Sequence, residues 1–135
     1  MGCESVETEL DATAAASVAS LEGGVVIACR AFGCATSTSV SAVAGGLDVQ
    51  FPDDPLLAST GHITANGDQS RIQIFFPEVP AAQADSVPEE ETYTLEVRDA
   101  QGTTVFSGER LAEPRNYPNG PECDETFCTG ITVAM

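Results

Sequence analysis

The sequence predicts an all-β protein: an antiparallel β-sandwich of about eight strands, immunoglobulin-like in the broad architectural sense. Short runs rich in Val, Thr and Ile alternate apolar and polar residues, most clearly Tyr93, Leu95 and Val97 against Thr94, Glu96 and Arg98. A period of two is that of a half-buried strand. Turn signals built from Gly, Pro, Asn and Asp recur at roughly ten-residue spacing, as they do in sandwiches. Hydrophobic residues make up 42% of the 135 residues and charged ones 19%, which is enough apolar material for the core of one domain. The sequence hallmarks of true immunoglobulin domains are missing, since there is no Trp and the cysteines lie in close pairs.

In chain order, residues 4–11 are acidic and unpatterned, which suggests a tether over 1–12 ahead of a single folded domain over 13–135. Over residues 13–21 two readings compete. Leu10, Ala14, Val18 and Leu21 share a helical face, whereas Val18, Ser20 and the Val-rich run beyond them suit an opening strand, and a strand is expected. Residues 25–29 and 35–43 flank the loop 30–33 as a hairpin. Residues 47–51 form the next strand, ended by Pro52-Asp53-Asp54-Pro55. Residues 62–65 and 71–76 flank Asn66-Gly67-Asp68, a strong hairpin signal. Residues 77–91 hold Pro77, Pro80, Pro88 and the run Glu89-Glu90-Glu91, and read as an exposed connection between sheets. Strands over 92–99, 103–109 and 129–134 complete the set. The alternating apolar members, Val26, Ile72, Ile74, Tyr93, Leu95, Val97, Val105, Ile131 and Val133, form the expected core.

Charge narrows the function classes. The chain carries 21 Asp and Glu against 5 basic residues, all arginine, for a net charge of -16. A field of that sign disfavours nucleic acid and anionic membrane surfaces as partners. The acids are spread over nearly every segment, which favours adaptation to salty surroundings over attraction to one basic partner. No stretch approaches the ~20 apolar residues of a membrane-spanning helix.

Cys29 and Cys34 enclose four residues, and so do Cys123 and Cys128. A single zinc site with four thiolates is the competing reading, but this spacing is at the loose end for zinc. Two structural disulfides fit better and imply an oxidising compartment. The hairpin sets Cys29 across from Cys34 within disulfide reach, so the expected pairs are Cys29–Cys34 and Cys123–Cys128. Cys3 is left over. Met1-Gly2-Cys3 reads as a bacterial lipoprotein start in which small Gly2 closes the lipobox, Met1 replaces the leader, and Cys3 carries the lipid. Myristoylation at Gly2 fits less well, because Val6 holds the position that signal reserves for Ser or Thr. The plain alternative for Cys3 is a stray thiol behind an introduced start.

The hairpin Val25-Val26-Ile27-Ala28-Cys29-Arg30-Ala31-Phe32-Gly33-Cys34, the stretch from Tyr93 to Gly108, and the tail Tyr117-Pro118-Asn119-Gly120-Pro121-Glu122-Cys123 through Cys128 resemble uncharacterised small secreted lipoproteins of high-GC bacteria. Those proteins often end in a Pro-Asn-Gly-Pro run and a cysteine pair. The resemblance covers about half of the chain. It implies location and fold, and it implies no activity.

Candidate chemistry is sparse. His62, the only histidine, would need a nucleophile and an orienting carboxylate to act as a base, and needs nothing as a solvent-facing strand residue. Asp53 and Asp54 would have to join Asp48 or Asp68 around calcium, yet no D-x-D-x-D-G spacing exists and a solvated turn is simpler. Glu89-Glu90-Glu91 reads as a solvated loop face before it reads as a cation or basic-partner patch. With 21 acids, coincidental carboxylate pairs carry no signal for glycoside hydrolysis. No catalytic, cofactor or metal residue is therefore assigned.

The expected function is a non-enzymatic binding or surface module outside the cytoplasm, held to a membrane only through a lipid on Cys3. A protein partner of unknown identity would meet the loop 115–128, with Tyr117, Asn119 and Phe127 as candidate contacts. Two other classes stay open. A structural subunit of an extracellular assembly would pair its acidic N-terminal segment with a neighbour's sheet edge. A hydrolase or protease inhibitor would need a deep polar pocket or a rigid exposed loop.

Overall fold

Alternation sorts the side chains of each strand onto two faces, and burying one face of each sheet against the other produces the sandwich. The structure, a computed structural model, describes residues 7–79, 86–116, 128–129 and 131–135. Its elements are β1 (Thr8–Ala14), α1 (Val18–Leu21), β2 (Val25–Arg30), β3 (Gly33–Thr36), β4 (Ser39–Val43), β5 (Gly46–Gln50) and β6 (Thr60–Asn66). They continue with β7 (Gln69–Phe76), β8 (Glu91–Arg98), β9 (Thr104–Ala112), β10 (Arg115–Asn116), β11 (Cys128–Thr129) and β12 (Thr132–Ala134). A six-stranded sheet runs β12-β1-β7-β6-β5-β4, a four-stranded sheet runs β3-β2-β8-β9, and β10 pairs with β11. The fold is the all-β sandwich expected, with ten strands in its two main sheets. The described ladders are antiparallel except for β1 with β12, which is parallel.

Between the sheets lie Leu10, Val49, Ile63, Ile72, Ile74 and Phe76 from one side and Val26, Ala28, Tyr93, Leu95 and Val97 from the other, all buried. Full burial of such a side chain contributes about 1.5–3 kcal/mol. Val133 is buried as expected, whereas Val105 and Ile131 only pack against the core from the side. Both belong to the margin: β9 is an edge strand, and Ile131 precedes the three-residue edge strand β12.

Several expectations need correction. Residues 8–12 are not tether: Thr8, Leu10, Ala12 and Ala14 are buried on alternate positions of β1, which pairs with β7 from Thr8↔Phe76 to Ala14↔Ser70. The folded domain therefore includes residues 8–12, and the acids Glu9 and Asp11 are the outward members of a strand. Residues 13–21 do not continue as a strand past Ala14. They turn through one helical turn, Val18–Leu21, where the Ser17 side chain accepts from Ser20 N and only Leu21 is buried. Residues 35–43 are two strands in opposite sheets. The chain crosses at Ser37-Thr38, where Ser37 N donates to Val26 O and Thr38 N donates to Gln50 O, so neighbouring residues bond to opposite sheets. Likewise the expected strand 129–134 is divided between β11 and β12.

The β6–β7 hairpin is tighter than Asn66-Gly67-Asp68 suggested. Asn66 pairs with Gln69, which leaves Gly67 and Asp68 as the turn. Gly67 has φ 62 while no non-glycine residue among the described residues has positive φ, the pattern of a turn with Gly at its first central position. The hairpin 25–43 is tightened in the same way, since Arg30 pairs with Gly33 around Ala31 and Phe32. The chain passes from β7 in the six-stranded sheet to β8 in the four-stranded sheet as expected, although Val79 and Val87, among the described residues between these strands, are buried.

Candidate functional site

In β2 the core-facing positions are Val26, Ala28 and Arg30, and in β8 they are Glu91, Tyr93, Leu95 and Val97. Pairing of β2 with β8 therefore brings an arginine and a glutamate together at one end of the core. Their side chains are 1% and 0% exposed. A charge taken out of water at that depth persists only if it is paired and hydrogen-bonded.

The pairing is complete on the carboxylate. Glu91 Oε2 accepts from Arg30 Nε at 3.0 Å and from Ala31 N at 2.7 Å, while Oε1 accepts from Arg30 Nη2 at 2.8 Å and from Tyr93 Oη at 2.6 Å. Each oxygen thus has two donors, which uses the acceptor capacity of an ionised carboxylate. The guanidinium lies 5.2 Å from the Phe32 ring, 5.3 Å from Phe76 and 5.7 Å from Tyr93, so three π faces surround the cation. Arg30 Nη1 has no hydrogen-bond partner among the described residues.

Burial pushes the Glu91 carboxyl upward, but hydrogen bonds from Arg30, Tyr93 and Ala31 N, together with the Arg30 charge, outweigh it and hold Glu91 below the ordinary carboxylate value. Tyr93 shifts the other way: burial, and then the carboxylate it donates to, raise its phenol far above the usual value. A carboxylate with no open acceptor direction and no contact with water cannot exchange a proton with a substrate. The cluster acts as a clamp between the β2–β3 hairpin and the first residues of β8.

This arrangement corrects the expectation for Glu89-Glu90-Glu91. Glu89 and Glu90 are exposed, but Glu91 is the first inward residue of β8. Its phase with Tyr93, Leu95 and Val97, and that of Arg30 with Val26 and Ala28, are the sequence signals that reveal the pair.

Beside the clamp, Cys29 and Cys34 are directly opposite on β2 and β3 and form a disulfide with a Cα–Cα distance of 4.0 Å. Cys3, Tyr117, Asn119, Cys123 and Phe127 lie outside the described residues, as does the expected Cys123–Cys128 bond; Cys128 is described only through the backbone pairing of β11.

The other candidates are on the surface. The His62 side chain is 55% exposed, with Nδ1 3.8 Å from Asp48 Oδ1 on the neighbouring strand and its ring edge-on to Phe75. Asp54 Oδ1 accepts from Leu56 N and Leu57 N, closing its own turn rather than facing a cation. No group of three or more His, Cys, Asp or Glu among the described residues is placed to hold a metal ion. On the outer face of the four-stranded sheet an open, shallow groove of about 480 Å³ runs past Ile27, Cys29, Thr94, Glu96 and Ser107. Arg98 Nη2 lies 2.5 Å from Glu96 Oε2 along it.

Comparison with protein-family models, with curated proteins and with solved structures finds no match.

Proposed function

We propose that the chain is a non-enzymatic binding or surface module of the extracytoplasmic space, anchored through a lipid on Cys3. The observation that carries the reading is the Cys29–Cys34 disulfide, because such bonds form and persist in oxidising compartments. The sequence resemblance to small secreted lipoproteins agrees with it, as does the Gly2-Cys3 dipeptide ahead of the folded domain.

The clamp supports a scaffold role. Its one carboxylate is saturated and dry, so the accessible chemistry lies on the sheet faces and connecting loops. The loop 115–128 remains the proposed contact segment, with Tyr117, Asn119 and Phe127 as the candidate contacts for a protein partner, and β10 and β11 join its two ends. Nucleic acid is not a partner in this reading, given the net charge of -16. A protease inhibitor is less well supported, since Arg30, the only basic residue in the disulfide-closed hairpin, is buried against Glu91. An assembly subunit that donates its N-terminal strand is also less well supported, because β1 already lies between β12 and β7.

Intact mass of the protein extracted from its native membrane tests the reading. Acyl mass on the peptide containing Cys3 is expected, together with a Cys29–Cys34 linked peptide under non-reducing digestion. A free Cys3 thiol on protein recovered from the cytosol would overturn it.

A further inference from the structure

We propose that the Cys29–Cys34 disulfide and the Arg30–Glu91 pair form one redox-sensitive latch, in which reduction by a dithiol loosens the hairpin tip that covers the end of the core. Two attachments hold that tip, and they are adjacent in the chain. The disulfide joins the strands one residue outside the Arg30↔Gly33 pair, and inside it Arg30 and Ala31 supply three of the four hydrogen bonds on Glu91. Phe32, at the turn, places its ring 5.2 Å from the guanidinium. Opening the tip therefore uncovers Arg30 and the rings of Phe76 and Tyr93 together.

Cys34 is exposed, so a thiolate can reach the bond. In the balanced step one thiolate of the dithiol attacks Cys34 Sγ, the Cys29–Cys34 bond breaks, and Cys29 leaves as a thiolate that takes up a proton. The second thiolate of the reductant then displaces Cys34, which is protonated in turn, and the reductant retains the new disulfide. Two electrons have passed to the protein. Of the two attachments only the grip on Glu91 then remains beside the backbone pairing of β2 with β3, at an end of the core where no other ion pair is found among the described residues.

The two attachments close the same segment, so their coupling is reciprocal: whatever weakens the grip on Glu91 makes the disulfide easier to reduce. The groups facing Glu91 are Arg30 and the Ala31 amide from the hairpin and Tyr93 from β8.

Amide hydrogen exchange on the full chain, with and without dithiothreitol, tests the latch. Exchange at Ala31 N is expected to accelerate roughly 30-fold on reduction, the effect of opening a loop of this length, while exchange at Leu95 and Ile72 is unchanged. Cys29→Ser with Cys34→Ser is expected to show the fast Ala31 rate without reductant and no further response to it, which separates the effect from Cys123 and Cys128. Unchanged exchange at Ala31, or equal acceleration at Leu95, overturns the proposal. A second measurement does not depend on that double variant folding. Tyr93→Phe, which removes one donor from Glu91, is expected to let the Cys29–Cys34 bond reduce at a lower dithiol concentration than in the parent chain, and an unshifted midpoint overturns the coupling.

Discussion

Arg30 Nη2 and Glu91 Oε1 are 2.8 Å apart in a site where neither side chain is more than 1% exposed, although the residues are 61 positions apart in the chain. The bidentate contact ties the first hairpin to the strand that follows the longest sheet-to-sheet connection. Removing one member leaves a charge in the core with no counter-ion, which costs far more than replacing both.

Glu91→Leu and Arg30→Leu, made singly, are accordingly expected to destabilise the fold by about 3–5 kcal/mol each, and the double substitution by much less than their sum. Denaturant unfolding of the four proteins measures this coupling. Additive losses would mean that the two charges do not depend on each other.

The clamp also sets the pH range of stability. Glu91 has a folded pKa below its unfolded value of 4.5, so its contribution is present above that value and is lost as pH falls through the folded pKa. Tyr93 has a folded pKa above its unfolded value of 10.0, so its contribution is present below pH 10.0 and is lost on further alkalinisation. Unfolding free energy followed against pH should show both limbs in the parent chain. Tyr93→Phe should flatten the alkaline limb, and an unchanged alkaline slope would contradict the assignment.

Salt provides an independent test of the charge distribution. Among the described acids only Glu91 is fully buried, and exposed ones such as Glu22, Asp53, Asp68, Glu89, Glu90 and Glu113 lie in connections, where they repel one another across solvent. Molar salt shortens the screening length to about 3 Å. Thermal stability should rise well beyond physiological ionic strength, and equally in sodium and potassium chloride, because screening does not distinguish the cations. Saturation at millimolar calcium without further gain from monovalent salt would instead point to a specific ion site.

Backbone proximity makes Gly61 intolerant of any side chain. A Cβ there would lie 2.6 Å from Ile74 Cδ1 and 2.8 Å from Gln73 O, inside the sandwich. Gly61→Ala should cost about 1–3 kcal/mol through overpacking. Gly102→Ala meets no neighbour within 4 Å but sits at φ 85, so its smaller loss would come from backbone strain alone. Comparison of the two denaturation midpoints checks the order.

The alternation in β8, the turn at Gly67, the crossing after Phe76 and the Cys29–Cys34 pair are legible in the sequence because each depends on residues within a few positions of one another. Period, turn chemistry and cysteine spacing are local properties of the chain. Tertiary structure decided what those signals leave open. Glu9 and Asp11 read as tether until β7 and β12 pair with β1, and Ser37-Thr38 reads as mid-strand until opposite sheets claim its two amides. Glu91 reads as one member of an acidic run. Its burial depends on a guanidinium 61 residues away and on a phenol two positions along β8, and only packing one sheet against the other brings the donors together that allow a carboxylate to remain charged out of water.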